Sequence, residues 1–271
     1  KASLSLFLFA TSLIAADRYQ ASEPHMGTLV SVTLYAESPE QAQQGFLKAF
    51  SRIAQLNAIL SDYDPNSELS RLCETGVAGP ELTTVLTHAQ RLAEQTGGAF
   101  DITVGPLSRL WREARKRKQF PSPEAIADAR RRSGYRNLNG TKCLVPGMQL
   151  DAGGIAKGYA ADQALAALRK QGINMALVAI SGDLAIGEPP PGKQGWKVRV
   201  QKEILTLANT AVSTSGDEFQ FMEIDGARYS HIIDPRNGIP LKDGRIVSVI
   251  ALTATEADSL ATAISGDLAI G

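Results

Sequence analysis

A chain of 271 residues, 44% hydrophobic and 21% charged, can enclose a sizeable core as one large domain or two small ones. Its 28 basic and 28 acidic residues cancel, which argues against a broad electrostatic surface for nucleic acid, and 6% aromatic content supplies few base-stacking platforms. Two cysteines, Cys73 and Cys143, lack metal-ligand spacing, and the sequence leaves open whether they pair.

Residues 1–16, KASLSLFLFATSLIAA, place one Lys before an apolar run, the pattern of an export signal. The run is short for a membrane span, and a buried first helix is the other account. Residues 17–271 read as the folded domain. HMGTLVSVTLYA (25–36) sets Val30, Val32 and Leu34 on one face and predicts a strand. Ser38-Pro39-Glu40 opens a helix carrying Phe46, Leu47, Phe50, Ile53, Ala54 and Leu56. LSDYDPNSELSRL (60–72) reads as a loop with Tyr63 exposed in it, then a short helix capped by Ser67.

Residues 81–95 predict a helix stopped at Gly97-Gly98. Phe100 and Asp101 follow the glycine pair, where chain and ligand can meet. The plainer account is a helix stop, a short strand and a turn at Gly105-Pro106. RLWREARKRKQFP (109–121) is strongly basic and reads as a solvated helix face, with contact to anionic lipid or a partner as the alternative. A helix follows over 121–132, and Ser133-Gly134 and Asn139-Gly140 punctuate a hairpin.

In LDAGGIAKGYAADQALAALRKQG (150–172), Gly153, Gly154 and Gly158 surround Lys157 at the entry to a helix. Free backbone N–H groups and the helix dipole make such an entry a seat for phosphate. The spacing is neither G-x-G-x-x-G nor G-x-x-x-x-G-K-[ST], and a tight strand–helix corner needs glycine equally. Gly172 is expected to cap the helix. Residues 175–180 form an apolar run, hence a buried strand, emerging at Ser181-Gly182-Asp183.

Further on, Phe219, Phe221 and Glu223 alternate with Gln220, Met222 and Ile224. Asp225-Gly226 reads as a type I′ turn, and a return strand over 229–233 carries His231, one of 3 histidines. A strand histidine is commonly structural, but Ser213, Thr214, Ser215 and Asp217 supply a polar patch that can line a site. Residues 245–264 predict a buried strand and a helix whose Thr253 and Glu256 fit a capping box. Asp258 and Thr262 share one face of that helix at i, i+4. Carboxylate and hydroxyl oxygens are hard ligands suited to Mg²⁺ beside phosphates, and an exposed Asp with an ordinary helix Thr is the alternative. The final AISGDLAIG (263–271) repeats residues 179–187, and the fold is expected to continue beyond it.

HMGT, SDYDPNSELSRL, GGAFDITVGPL, LDAGGIAKGYAAD, ISGDL, VSTSGD, SHIIDPRNG and TEADSLATA occur in that order over roughly residues 22–264. Together they resemble the ApbE family, flavin transferases that attach FMN from FAD to proteins. The resemblance implies an α+β fold in which two related sheet-and-helix halves flank a flavin site. It implies FAD as substrate, Mg²⁺, and transfer of FMN to a Thr or Ser hydroxyl with release of AMP. By position, Met26, Tyr63, Ala99, Phe100, Asp101 and Asp162 match FAD-contacting residues. The carbonyl of Ala156 and the side chains of Asp258 and Thr262 match Mg²⁺ ligands. His231 matches the residue that assists the chemistry, and Lys157 would add positive charge at the phosphates. The implied acceptors are membrane-bound electron-transport flavoprotein subunits, and the implied location is the periplasm, in association with the inner membrane.

Two other activities fit the same motifs: a Mg²⁺-dependent FAD pyrophosphatase that frees FMN and AMP, and a non-catalytic flavin-binding protein. The sequence departs from the family pattern in two places. Ala16 stands where exported members carry a lipid-bearing Cys, and the repeated nonapeptide replaces the usual helix and strand beyond Ile264.

Overall fold

The structure, a computed structural model, describes residues 16–216, 221–224, 226–242 and 244–266. Residues 1–15 of the export-signal segment, Asp217, Phe219, Gln220, Asp225 and the last five residues of the repeat lie outside these. Among the described residues no helix is long and apolar enough to cross a membrane.

The chain begins with an antiparallel hairpin of β1 (Asp17–His25) and β2 (Thr28–Ala36). The alternation of Val30, Val32 and Leu34 is in β2 as expected, but His25 closes the preceding strand. Met26 and Gly27 make the turn, with φ of 51° and 71°, the backbone of a type I′ hairpin. Next, α1 (Pro39–Leu60) is capped by the Ser38 hydroxyl and buries Phe50, Ile53 and Leu56. Ser67 caps α2 (Glu68–Thr75), and α3 (Pro80–Gln95) follows. Gly105-Pro106 is not a turn between strands. A 3₁₀ turn at Ile102–Val104 leads straight into α4 (Gly105–Arg117), where Pro106 occupies the first helical turn that tolerates its missing N–H. Helix α5 (Pro123–Arg131) and the small hairpin of β3 (Leu138–Asn139) and β4 (Lys142–Cys143) fall where the sequence predicts them. Cys73 of α2 and Cys143 of β4 form a disulfide.

The second half starts with α6 (Ala156–Arg169), whose cap is Lys170, with Gly172 in the left-handed region two residues on (φ 76°). Then come β5 (Ala176–Ile180), β6 (Asp183–Ile186), β7 (Trp196–Val200), β8 (Glu203–Leu207) and β9 (Thr210–Gly216). A hairpin of β10 (Phe221–Ile224) and β11 (Ala227–Ser230) precedes the short pair β12 (Ile233–Asp234) and β13 (Ile239–Pro240). Strand β14 (Ile246–Ala251) and α7 (Ala254–Gly266) end the described chain.

One six-stranded sheet, ordered β1-β2-β5-β6-β9-β14, joins both halves, and every neighbouring pair in it is antiparallel. Helices gather on the sheet, the α+β architecture expected of separately patterned strands and helices. Val32 and Leu34 of β2, Ile53 and Leu56 of α1, Leu168 of α6 and Val178 of β5 belong to one buried cluster. Removing such apolar surface from water, at roughly 25 cal/mol per Å², is what holds the layers together. A smaller cluster of Trp111, Met222, Ile224 and Tyr229 fastens the β10–β11 hairpin to α4.

Candidate functional site

The site grows from the crossing of α6 and α7. Gly158 is buried there. A Cβ at this position would lie 2.1 Å from the Ala254 carbonyl oxygen and 2.7 Å from Asp258 Cβ. Glycine is therefore required by a helix–helix contact, a packing role different from the strand–helix corner that the sequence suggested beside phosphate binding. The Gly158 N–H donates to Asp258 Oδ2 at 2.9 Å. In return, Asp162 of α6 accepts from the N–H groups of Ala254 and Thr255, both at 2.8 Å, and from the Thr255 hydroxyl at 2.6 Å. Each helix start thus meets a carboxylate from the other helix, where the dipole favours negative charge. The predicted capping box is present in part, the Thr253 hydroxyl accepting from the Glu256 N–H at 3.2 Å.

Lys157 projects between two carboxylates. Its Nζ lies 2.9 Å from Asp183 Oδ2 and 3.6 Å from Asp258 Oδ1. Asp183 and Asp258 are each 2% exposed. The Ser213 hydroxyl donates to the other oxygen of Asp183, across the β6–β9 register that pairs these two residues. Two buried acids share one cation. Burial, then the charge of Asp183, push Asp258 up to about 7 against the pull of Lys157. Burial opposes the charge on Lys157, but the two carboxylates outweigh it and hold its ammonium above the ordinary lysine value.

These residues fit a hard divalent cation. Asp183 Oδ2 is buried and, although ion-paired with Lys157, accepts no well-aligned hydrogen bond. Asp258 Oδ1 faces the same space. Thr262 lies one turn further along α7, against Gly154, where a Cβ would sit 2.9 Å from its hydroxyl oxygen. Every donor is oxygen, the preference of Mg²⁺. Among the described residues no group of three or more His, Cys, Asp or Glu side chains is placed to hold an ion. A cation here would draw on Asp258, Thr262 and the Ala156 carbonyl at the start of α6, with substrate phosphate completing its shell.

The flavin-contacting candidates fall into three groups. Ala99, Phe100 and Asp101 run beside the glycine loop, because the Asp151 N–H donates to the Ile102 carbonyl at 2.8 Å. Ala99 also faces the end of α7, its carbonyl oxygen 3.6 Å from a Cβ at Gly266. Phe100 is in the core. Asp101 is buried and accepts from Thr103 N–H (2.8 Å), the Thr103 hydroxyl (2.7 Å) and Tyr135 N–H (2.7 Å). Burial raises its pKa against those bonds.

Tyr63 is exposed as predicted, with the Arg112 guanidinium 4.2 Å from its ring centroid. Arg112 also bonds Asp62 and, at 3.0 Å, Asp151 Oδ2, while Asp151 Oδ1 accepts from Gly153 N–H at 2.8 Å. An aromatic–arginine–carboxylate chain therefore ties Tyr63 to the glycine loop. Arg112 lies inside the basic stretch read as a solvated face; it is half-buried and ion-paired. Met26, at the β1–β2 turn, is partly buried against the core.

His231 is exposed and stands just past β11, not within a return strand. The strand ends early because the Ser230 hydroxyl accepts the Ile232 N–H at 3.1 Å and makes a local turn. The segment that follows is anchored by Trp111 Nε1–H on the Gly238 carbonyl (2.8 Å), by Arg130 on the Arg236 carbonyl (2.7 Å), and by Arg236 on the Gly266 carbonyl (3.2 Å). The last contact links the His231 segment to the end of α7. In the predicted polar patch, Ser213 serves Asp183 and Thr214 pairs with Ser248 at 2.9 Å. His88, which carries no sequence signal, meets Ser259 of α7 at 3.1 Å.

The family model for the ApbE family matches residues 26–266. The chain is 33% identical over 285 residues to an FAD:protein FMN transferase of Vibrio cholerae, covering 96% of this chain and 84% of that protein. It is 31% identical to an FAD:protein FMN transferase of Salmonella typhimurium, covering 88% and 75% of the two. The crystal structure of Pseudomonas stutzeri flavinyl transferase ApbE in its apo form superposes with a TM-score of 0.83 at 30% identity, covering 96% of this chain and 89% of that one. With a family match over nearly the whole chain, relatives above 30% identity and the same fold, this chain belongs to the ApbE family.

Proposed function

We propose that the chain is a Mg²⁺-dependent transferase that moves FMN from FAD to a Thr or Ser hydroxyl of a target flavoprotein and releases AMP. The observation that carries this reading is the pair of buried carboxylates, Asp183 of β6 and Asp258 of α7, that meet the partly exposed Lys157 at the start of α6, in a chain 33% identical to an FAD:protein FMN transferase. It sets carboxylate oxygens that would take Mg²⁺, and one ammonium, at a glycine loop beside the Ala99–Asp101 segment, where a metal-bound pyrophosphate would lie.

The acceptor oxygen forms a bond to the FMN phosphorus, and the bond between that phosphorus and the bridging oxygen breaks. AMP leaves with the electron pair, and the hydroxyl proton passes to a base. Asp258, Thr262 and the Ala156 carbonyl would hold Mg²⁺, which when bound neutralises phosphate charge and stabilises the departing AMP. Lys157 presents an ammonium to the same phosphates. Tyr63, held by Arg112, and Met26 border the flavin. His231 is exposed, as a group that meets an incoming protein must be, and imidazole is a competent base near neutral pH.

The proposal includes an exported location. The Cys73–Cys143 disulfide supports an oxidising compartment, and the apolar segment at residues 1–16 supports export. In the periplasm, in association with the inner membrane, the acceptors would be membrane-bound electron-transport flavoprotein subunits. The test is incubation with FAD and Mg²⁺, with and without a protein bearing an exposed acceptor threonine. Acceptor-dependent flavin fluorescence that survives denaturing electrophoresis supports the transferase. AMP and free FMN without covalent product establish the pyrophosphatase, and intact bound FAD establishes a binding protein.

A further inference from the structure

Lys157 occupies the space that the Mg²⁺ reading assigns to a metal. Asp258 Oδ2 already accepts the Gly158 N–H, so Oδ1 is the oxygen more open to a cation. The Lys157 ammonium lies 3.6 Å from that oxygen. A Mg²⁺ ion bonds a carboxylate oxygen at about 2.0–2.1 Å. Both cations would then crowd one oxygen in a buried setting, where like charges repel strongly. The lysine has a second anchor at hand. Asp183 is the nearer carboxylate at 2.9 Å, is buried, and has no well-aligned hydrogen bond on that oxygen. Ser213 fixes the other oxygen, so Asp183 cannot swing away with the lysine.

We propose that Lys157 is an internal counter-ion that holds Asp258 until a divalent cation replaces it, and that Asp183 is the positioning residue that keeps the lysine in the site after the exchange. This rests on the Mg²⁺ site proposed above. It adds that metal entry is a cation exchange. The ammonium released from Asp258 stays beside the phosphates on its Asp183 tether, so metal and FAD each favour binding of the other.

The test is isothermal titration of the full chain with MgCl₂ alone, without flavin. Lys157→Met removes the competing charge and keeps the stem, so its Mg²⁺ affinity is expected to rise at least about tenfold over wild type. Lys157→Arg keeps the charge and should stay near wild type. Asp183→Asn leaves the lysine wholly to Asp258 and should weaken Mg²⁺ binding several-fold. Where Lys157→Met is too unstable for titration, thermal unfolding reads the same exchange, through a larger Mg²⁺-induced rise in melting temperature than in wild type. Equal or weaker Mg²⁺ binding by Lys157→Met, or an equal or smaller thermal rise, overturns the proposal. If wild type also releases AMP from FAD with Mg²⁺, only the counter-ion role falls. If Asp258→Ala binds Mg²⁺ as wild type does, the metal assignment falls and the exchange with it.

Discussion

Asp162 caps the helix that carries Asp258, and Asp258 caps the helix that carries Asp162. The two carboxylates make the α6–α7 pair a single unit, so the placement of Asp258 depends on a residue of the other helix. Asp162→Ala deprives two backbone N–H groups and one hydroxyl of a charged acceptor. The expected loss is about 2–3 kcal/mol of unfolding free energy. Urea denaturation without flavin measures it, and an unchanged midpoint would assign Asp162 to ligand contact alone.

The glycines of the loop differ in what they tolerate. Gly158→Ala places a methyl 2.1 Å from the Ala254 carbonyl oxygen, a backbone atom that cannot yield without moving α7. Overpacking of this kind costs about 1–3 kcal/mol, and the upper part of that range is expected. At Gly153 the nearest atom is Asp151 Oδ1 at 3.0 Å, the end of a side chain, and Gly153→Ala should be milder. Thermal melts of the two variants make the comparison; equal destabilisation would contradict the packing account.

Cys73 and Cys143 are separated by 70 residues in sequence and joined in the fold. Closing a loop of that length restricts the unfolded chain and stabilises the fold by roughly 4 kcal/mol on the chain-entropy reckoning. Unfolding in the presence of dithiothreitol should shift to markedly lower denaturant, and Cys73→Ser should reproduce the shift without reductant. A midpoint indifferent to reductant would mean the bond does not support the fold.

His88 sets a pH dependence. Burial first, and Arg91 second, lower its pKa from 6.5. The fold therefore favours neutral His88. Its contribution is complete above the unfolded value and is lost as pH falls through the lower folded value. Stability of wild type should drop as pH falls from neutral to below the ordinary histidine value of 6.5, and His88→Asn should flatten part of that drop. Chemical denaturation at neutral pH and below that value decides it, and identical slopes in both proteins would exclude His88 as the cause.

Local chemistry made much of this readable. The Ser67 cap, the Thr253 cap and the shared face of Asp258 and Thr262 are short-range patterns, and the structure contains each of them. What was hidden is long-range. Arg112 sits in a run of basic residues, and composition alone assigns such a run to solvent. Its partners Asp62 and Asp151 lie 50 and 39 residues away, so no local pattern reveals them. Asp183 read only as the exit of a strand, because its meeting with Lys157 depends on where β6 lies in the sheet. Strand β1 has mostly exposed positions and lacks the apolar alternation that marked β2. His231 left its predicted strand because one hydroxyl, that of Ser230, diverted a backbone N–H.

The most direct measurement of the central claim is AMP release from FAD as a function of Mg²⁺, for wild type and Asp258→Ala, with covalent flavin on an acceptor protein quantified in the same samples. The account predicts Mg²⁺-dependent AMP release matched by covalent flavin in wild type, and a loss of at least about 100-fold in the variant, because metal and leaving group lose their shared support. Asp258→Ala turning over at the wild-type rate with the same Mg²⁺ dependence would contradict it.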